Sequence, residues 1–227
     1  MLLWSVSVLL LLAFDFPDIE LTDLEIDAAG TVWLLPLSDP AVIRLYADGG
    51  QDRFETGEAG FPSGLGLSVT GRWIIAYPSQ GVLREYDSND ILLEEYLVSS
   101  PGDALFSGFS IWYTDTMREN VVSLNGDIIA RNCGNRQSRL SLERTGLGLV
   151  SGDRGVFIVE AGEVPVRIAD SGSACFSANG ILILDNGILR TAGGDTLLVD
   201  QPYSRISSSP DGETVILWGN SVPMVLE

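Results

Sequence analysis

The chain has 227 residues, a formal charge of −18 and 45% apolar residues, and all 13 of its basic residues are arginine, with no histidine. That excludes a Ser-His-Asp triad, imidazole metal ligands, a lysine Schiff base and a phosphate-loop lysine. The acidity opposes binding to nucleic acid and to anionic membranes, and the apolar fraction argues against disorder.

The chain opens with "MLLWSVSVLLLLAFDFPDIE". Leu2 to Phe14 is an uncharged run, too short for a comfortable membrane span. It fits the apolar core of an export signal cut after Ala13, which would place the mature protein outside the cytoplasm, periplasmic or secreted. No basic residue precedes the run and Leu11 spoils the small-x-small cleavage pattern, so a buried first strand is the alternative. On the export reading, residues 1–13 are the signal and 14–227 a single domain.

From residue 20 onward a small turn followed by an apolar strand recurs. It appears as "EIDAAGTVWLL", "GLSVTGRWIIA", "ALFSGFSIWYT", "SLERTGLGLVS", "CFSANGILILD" and "ISSSPDGETVILW", with the turn glycine at Gly30, Gly71, Gly108, Gly146, Gly180 and Gly212. Glycine suits these turns because a tight hairpin needs a positive φ. Within each period a second hairpin follows, as in "VIRLYADGGQDRFET" and "ILRTAGGDTLLVD". Each period therefore holds four short strands, a to d, and no segment carries a sustained helical rhythm.

Four antiparallel strands at this repeat length predict an all-β, six-bladed β-propeller. Blades packed face to face bury both sheet faces, which explains the apolar b strands at Val32–Leu35, Trp73–Ala76 and Ile181–Leu184. Trp33, Trp73, Trp112 and Trp218 fall in b strands and read as packing between blades. The sixth period stops after strand c, "SVPMVLE". Phe14–Glu20 is expected to supply its fourth strand by pairing with Pro223–Glu227, so that the two ends close the ring and hide an open sheet edge.

"SIWYTDTMRENVVSLNGDII" resembles the b–c hairpin of NHL and YWTD propellers. "SSSPDGETVILW" resembles the repeat of TolB-type propellers, and "LEIDAAGTVWLL" that of the NHL and gluconolactonase-like group. The resemblance spans most of the chain and implies the fold; such repeats host many functions. Gluconolactonase-like enzymes hold a divalent metal in the channel through Glu, Asn and Asp. Asp23, Glu25, Asp103 and Glu143 lie near inner strands here, but no Asn-containing set aligns with them.

Ligands of propellers usually meet the face made by b–c and d–a loops. The candidate binding residues on that face are Tyr77, Asp115, Arg118, Asp153, Arg154, Asp185, Asn186 and Asn220. Each has a plainer reading as a solvated turn residue; Asp115 in particular is suited to bonding loop backbone. Cys133 and Cys175 either pair in an oxidising compartment or stay as separate buried thiols. Two functions remain open. One is a non-catalytic, monomeric binding propeller for a protein, peptide or glycan, without a cofactor. The other is a lactonase or hydrolase using an oxygen-bound metal such as Ca2+.

Overall fold

The structure, a computed structural model, describes residues 14–57, 60–135, 138–142, 146–219 and 221–226. All regular structure in them is β, and no helix is long and apolar enough to cross a membrane. Blade 1 comprises β1 (Leu21–Ile26), β2 (Val32–Pro36), β3 (Ala41–Leu45) and β4 (Gln51–Glu55). Blade 2 comprises β5 (Gly64–Leu67), β6 (Trp73–Tyr77), β7 (Val82–Tyr86) and β8 (Leu92–Leu97). Blade 3 comprises β9 (Pro101–Ser107), β10 (Ser110–Asp115), β11 (Asn120–Ser123) and β12 (Ile128–Ala130). Blade 4 comprises β13 (Arg139–Leu142), β14 (Gly148–Gly152), β15 (Gly155–Val159) and β16 (Val166–Ala169). Blade 5 comprises β17 (Ser173–Ser177), β18 (Gly180–Asp185), β19 (Ile188–Thr191) and β20 (Thr196–Leu198). Blade 6 comprises β21 (Tyr203–Ser208), β22 (Val215–Gly219) and β23 (Met224–Leu226).

Every sheet is an antiparallel meander in chain order. The first strands, β1, β5, β9, β13, β17 and β21, touch one another in sequence, and β21 returns to β1. This is a closed ring of six blades around a central channel. The six expected turn glycines all have positive φ, between 59° and 120°, and all lie at a–b turns. The b strands β2, β6 and β14 are buried throughout because they carry apolar residues on both faces, each covered by a neighbouring blade. The b–c turns and d–a connections form one face of the ring, and the a–b and c–d turns form the other.

Closure differs from the sequence expectation. Among the described residues blade 6 has three strands, and Phe14–Glu20 forms no ladder with β23. The segment acts as a strap. Phe14 and Phe16 pack against the cluster of Leu24, Ile26, Val32, Leu34, Leu45, Ile216 and Trp218, which spans the junction of blades 6 and 1. Pro17 explains the lost pairing: it has no N–H, and its carbonyl accepts from Ile19 in a tight local turn that breaks the extended conformation. At its far end the strap is tied to blade 1 by the Leu37 N–H, which donates to the Glu20 carbonyl at 2.8 Å. The apolar run 1–13 and its proposed cleavage site lie outside the described residues.

Cys133 and Cys175 are both free and buried in separate clusters, at the junctions of blades 3 and 4 and of blades 5 and 6. Burial pushes the thiols up, Cys133 to about 11 and Cys175 to about 12. They behave as small apolar residues.

Candidate functional site at the channel mouth

The inner strands begin at the b–c and d–a face, so side chains near the start of each strand meet around the channel mouth. These positions carry Asp23, Gly64, Asp103, Arg139, Ser173 and Arg205, in blade order. Blades 1, 3 and 5 each present an acceptor to the next blade. Asp23 accepts from the N–H of Leu24 at 3.0 Å and of Leu65 at 2.9 Å. Asp103 accepts from the N–H of Ala104 at 2.8 Å and of Leu140 at 2.7 Å. The Ser173 hydroxyl accepts from the N–H of Ile206 at 3.2 Å. These bonds fasten alternate seams of the ring. At Gly64 a side chain is impossible, because a Cβ would lie 2.5 Å from the Asp103 Cα.

Arg139 spans the channel. Its Nη2 donates to the Thr22 carbonyl at 2.6 Å, and its Nε lies 3.5 Å from Asp23 Oδ1. Blade 4 is thus tied to blade 1 on the opposite side of the ring. Glu25 lies two residues beyond Asp23 on the same face of β1 and forms no hydrogen bond or ion pair among the described residues. Burial, then the nearby Asp23 and Asp103 charges, holds its carboxyl well above the usual range, against the pull of Arg139. Burial likewise raises Asp23 despite Arg139, and it pushes Asp103 up to about 8 with help from Asp23. Burial lowers Arg205, with the Arg139 charge adding to the effect.

This donor set does not fit a catalytic divalent ion. Both oxygens of Asp23 and of Asp103 already accept backbone N–H groups, and a guanidinium occupies the approach to Asp23. Among the described residues no three His, Cys, Asp or Glu side chains are grouped to share a metal. Glu143 lies outside those residues.

The residues expected from sequence fall into three groups. Tyr77 is a correction: it is the last residue of β6, 0% exposed, and packs with Trp33 and Val42 in the seam of blades 1 and 2. The b strand runs one residue further than expected, which turns this ring into the core instead of the loop. Asp115 is also buried and holds its own loop: Oδ1 accepts from the N–H of Met117 and of Arg118, and Oδ2 pairs with exposed Arg118 at 3.1 Å. Asp153, Arg154, Asp185 and Asn186 lie on the loop face. Asp153 accepts from Asn135 Nδ2 at 2.5 Å, Arg154 pairs with Glu119 at 2.6 Å, and Asp185 accepts from the Ser171 hydroxyl at 2.9 Å and from Asn186. Asn220 lies outside the described residues.

Sequence reasoning missed Arg139 and Arg205. Their signal was available: both lie near the start of an a strand, where the other blades carry Asp, Ser or Gly. It also missed the apolar tips of the same face, Leu37, Phe61, Met117, Val199 and Val222, all exposed, Met117 at 79%. Backbone geometry marks this face as well. Of the six described non-glycine residues with positive φ, five lie in its loops: Ser100, Glu119, Asn132, Asn186 and Asp200. Such conformations are held only where surrounding structure imposes them, and they concentrate at functional surfaces.

No known family model matches this chain, and no curated protein matches it in sequence. Solved structures do match in fold. A catalytically inactive virginiamycin B lyase from Staphylococcus aureus, bound to quinupristin, superposes with a TM-score of 0.67 at 12% identity, over 92% of this chain and 84% of that one. A gluconolactonase from Xanthomonas campestris gives 0.67 at 13%, over 93% and 87%. The WD40 domain of Neurospora crassa Pan2 gives 0.62 at 12%, over 91% and 74%. At such identities the likeness is one of fold, and proteins with quite different activities share it.

Proposed function

We propose that this protein is a non-catalytic binding propeller that takes a protein or peptide on the rim of its b–c and d–a face. The observation that supports this most is the state of the channel mouth. Arg139 crosses it, and its aspartates are engaged in joining blades, so recognition falls to the surrounding loops. Those loops combine exposed apolar tips at Leu37, Phe61 and Met117 with fixed charged groups such as the Arg154–Glu119 pair. Apolar anchors within a polar rim suit peptide side chains. The apolar run at Leu2–Phe14 makes export part of this reading, and N-terminal sequencing of protein from its source cells tests it by whether the chain starts near Phe14 or at Met1.

The test of binding is selection of displayed peptides on the purified protein, followed by affinity measurement against a Leu37→Ser, Phe61→Ser, Met117→Ser variant. Losing three apolar contacts of about 1 kcal/mol each should weaken selected peptides by about a hundredfold. Failure to enrich any peptide, or equal binding to the variant, sinks the reading. The Xanthomonas gluconolactonase shares the fold, so a lactonase remains the competing reading. Saturable Ca2+ uptake by calorimetry, abolished by Glu25→Gln, would restore it.

A further inference from the structure

The outer strands of the ring are not alike. Among the described residues β12, β20 and β23 are three residues long, and β16 is four with Arg167 inside it. β4 has five, and its central Arg53 is bonded to Asp39 and Glu55. β8 of blade 2 is the longest, six residues reading LLEEYL, with Ile91 just before it. Ile91, Leu92, Leu93 and Leu97 are all exposed, Leu97 at 84%. No proline or basic residue guards this edge, as one commonly does on an open sheet.

The backbone of that edge is free as well. β8 pairs only with β7. Glu94–Leu97 runs in unbroken antiparallel register with Val82–Glu85, and the Val98 N–H donates to the Gly81 carbonyl at 2.8 Å. Alternation from that bond turns the N–H and C=O of Tyr96 and Glu94 toward β7, and those of Leu97 and Glu95 outward. A row of outward amides on a long apolar strand is a template for one more strand. Glu94 says which strand. It lies directly opposite Glu85 in the ladder. Glu85 is buried and its oxygens are taken by Arg72 and by the Tyr96 hydroxyl, each at 2.6 Å. Glu94 is exposed and has neither hydrogen bond nor ion pair among the described residues. Like charges facing each other across a ladder are unfavourable, and a cation placed beside Glu94 would offset that.

We propose that the free edge of β8 takes up an extended segment of a partner protein as a fifth strand of blade 2, with basic side chains on the face of Glu94 and apolar ones on the face of Leu97. The edge lies on the circumference of the ring, apart from the loop rim, so it stands or falls independently of the binding reading above. Backbone hydrogen bonds supply the attachment, and alternate side chains select the segment. A second copy is the poorer occupant, because two chains of charge −18 repel each other.

The probe is a short fluorescein-labelled peptide of alternating Val and Lys, followed by anisotropy at physiological ionic strength. With Val opposite Leu97 and Glu95, the Val N–H groups bond to β8 and the Lys N–H groups face solvent. N-methylation of the Val residues should therefore weaken binding about tenfold or more, and N-methylation of the Lys residues by less than about twofold, at equal charge. Leu97→Pro removes an outward N–H without touching the ladder to β7, so it should lower affinity about tenfold and keep the parental melting curve. The methylated pair reads the same bonds on the unaltered protein. Glu94→Gln should weaken the peptide several-fold. Four results overturn the proposal: no binding by the parent, equal binding of the two methylated peptides, full binding by a folded Leu97→Pro variant, or unchanged binding by Glu94→Gln. A parent that sediments as a dimer, with Leu97→Pro a monomer, also overturns it, because the edge then belongs to a second copy.

Discussion

The seam between blades 1 and 2 and the seam between blades 6 and 1 solve the same packing problem with different means. In the first, Trp73 stacks on Tyr86 at 4.2 Å and Phe54 meets Trp73 edge-on at 5.0 Å. Arg44 crosses the seam with two bonds to Asp90, at 2.9 and 2.6 Å, while its guanidinium covers Trp33. In the second, aliphatic side chains of β1 to β3 meet Ile216 and Trp218, and Phe14 and Phe16 lie over the junction as a strap. The first seam joins blades consecutive in the chain. The second joins residues from opposite ends of it, so that packing has to offset the loop entropy of closure. The strap does with two aromatic rings what a fourth strand would have done with a ladder.

The aromatic seam offers the largest effect. Trp73→Ala should destabilise the domain by about 3–5 kcal/mol, read from denaturant midpoints. A loss near 1 kcal/mol would show that the seam tolerates a cavity. The closure seam should be weaker but more revealing. Phe14→Ala with Phe16→Ala should cost about 2–4 kcal/mol, because both rings are only partly buried. It should also separate the unfolding of blade 6 from that of the rest, since an open ring couples only sequence neighbours. A double variant with the parental single transition would place closure elsewhere.

A graded effect is expected of pH, because the mouth carboxyls fasten the seam of blades 1 and 2 and that of blades 3 and 4. Asp103 has a folded pKa raised from 3.8 to about 8. A raised acid keeps its proton in the folded state after the unfolded state has lost it. The stability it contributes is therefore complete below about pH 4 and is lost as pH rises towards 8. The melting temperature should fall across that window, and Asp103→Asn should flatten the slope. A melting temperature that rises steadily from pH 5 to 8 would contradict this. The smallest effect belongs to Arg118→Ala. The pair with Asp115 is exposed on the arginine side and the loop keeps its two N–H bonds, so the change should be no more than about 0.5 kcal/mol.

The sequence by itself determined the architecture. Glycines at regular intervals mark the a–b turns because only a residue without Cβ takes their positive φ freely. The runs around Trp33 and Trp73 mark b strands because each must bury two faces. Both signals are local, so six blades can be counted without a structure. Only the tertiary structure decided the site. Arg139 meets Thr22 across 117 positions of chain, a contact that exists only once the ring has curved shut. Tyr77 looked like a loop residue and became core because blade 1 packs over the end of β6. The strap replaced the expected strand because Pro17 cannot donate to a ladder while its phenylalanine neighbours can still pack. Turn and strand signals depend on near neighbours in the chain, whereas the channel mouth and the closing seam depend on which distant side chains the finished ring brings together.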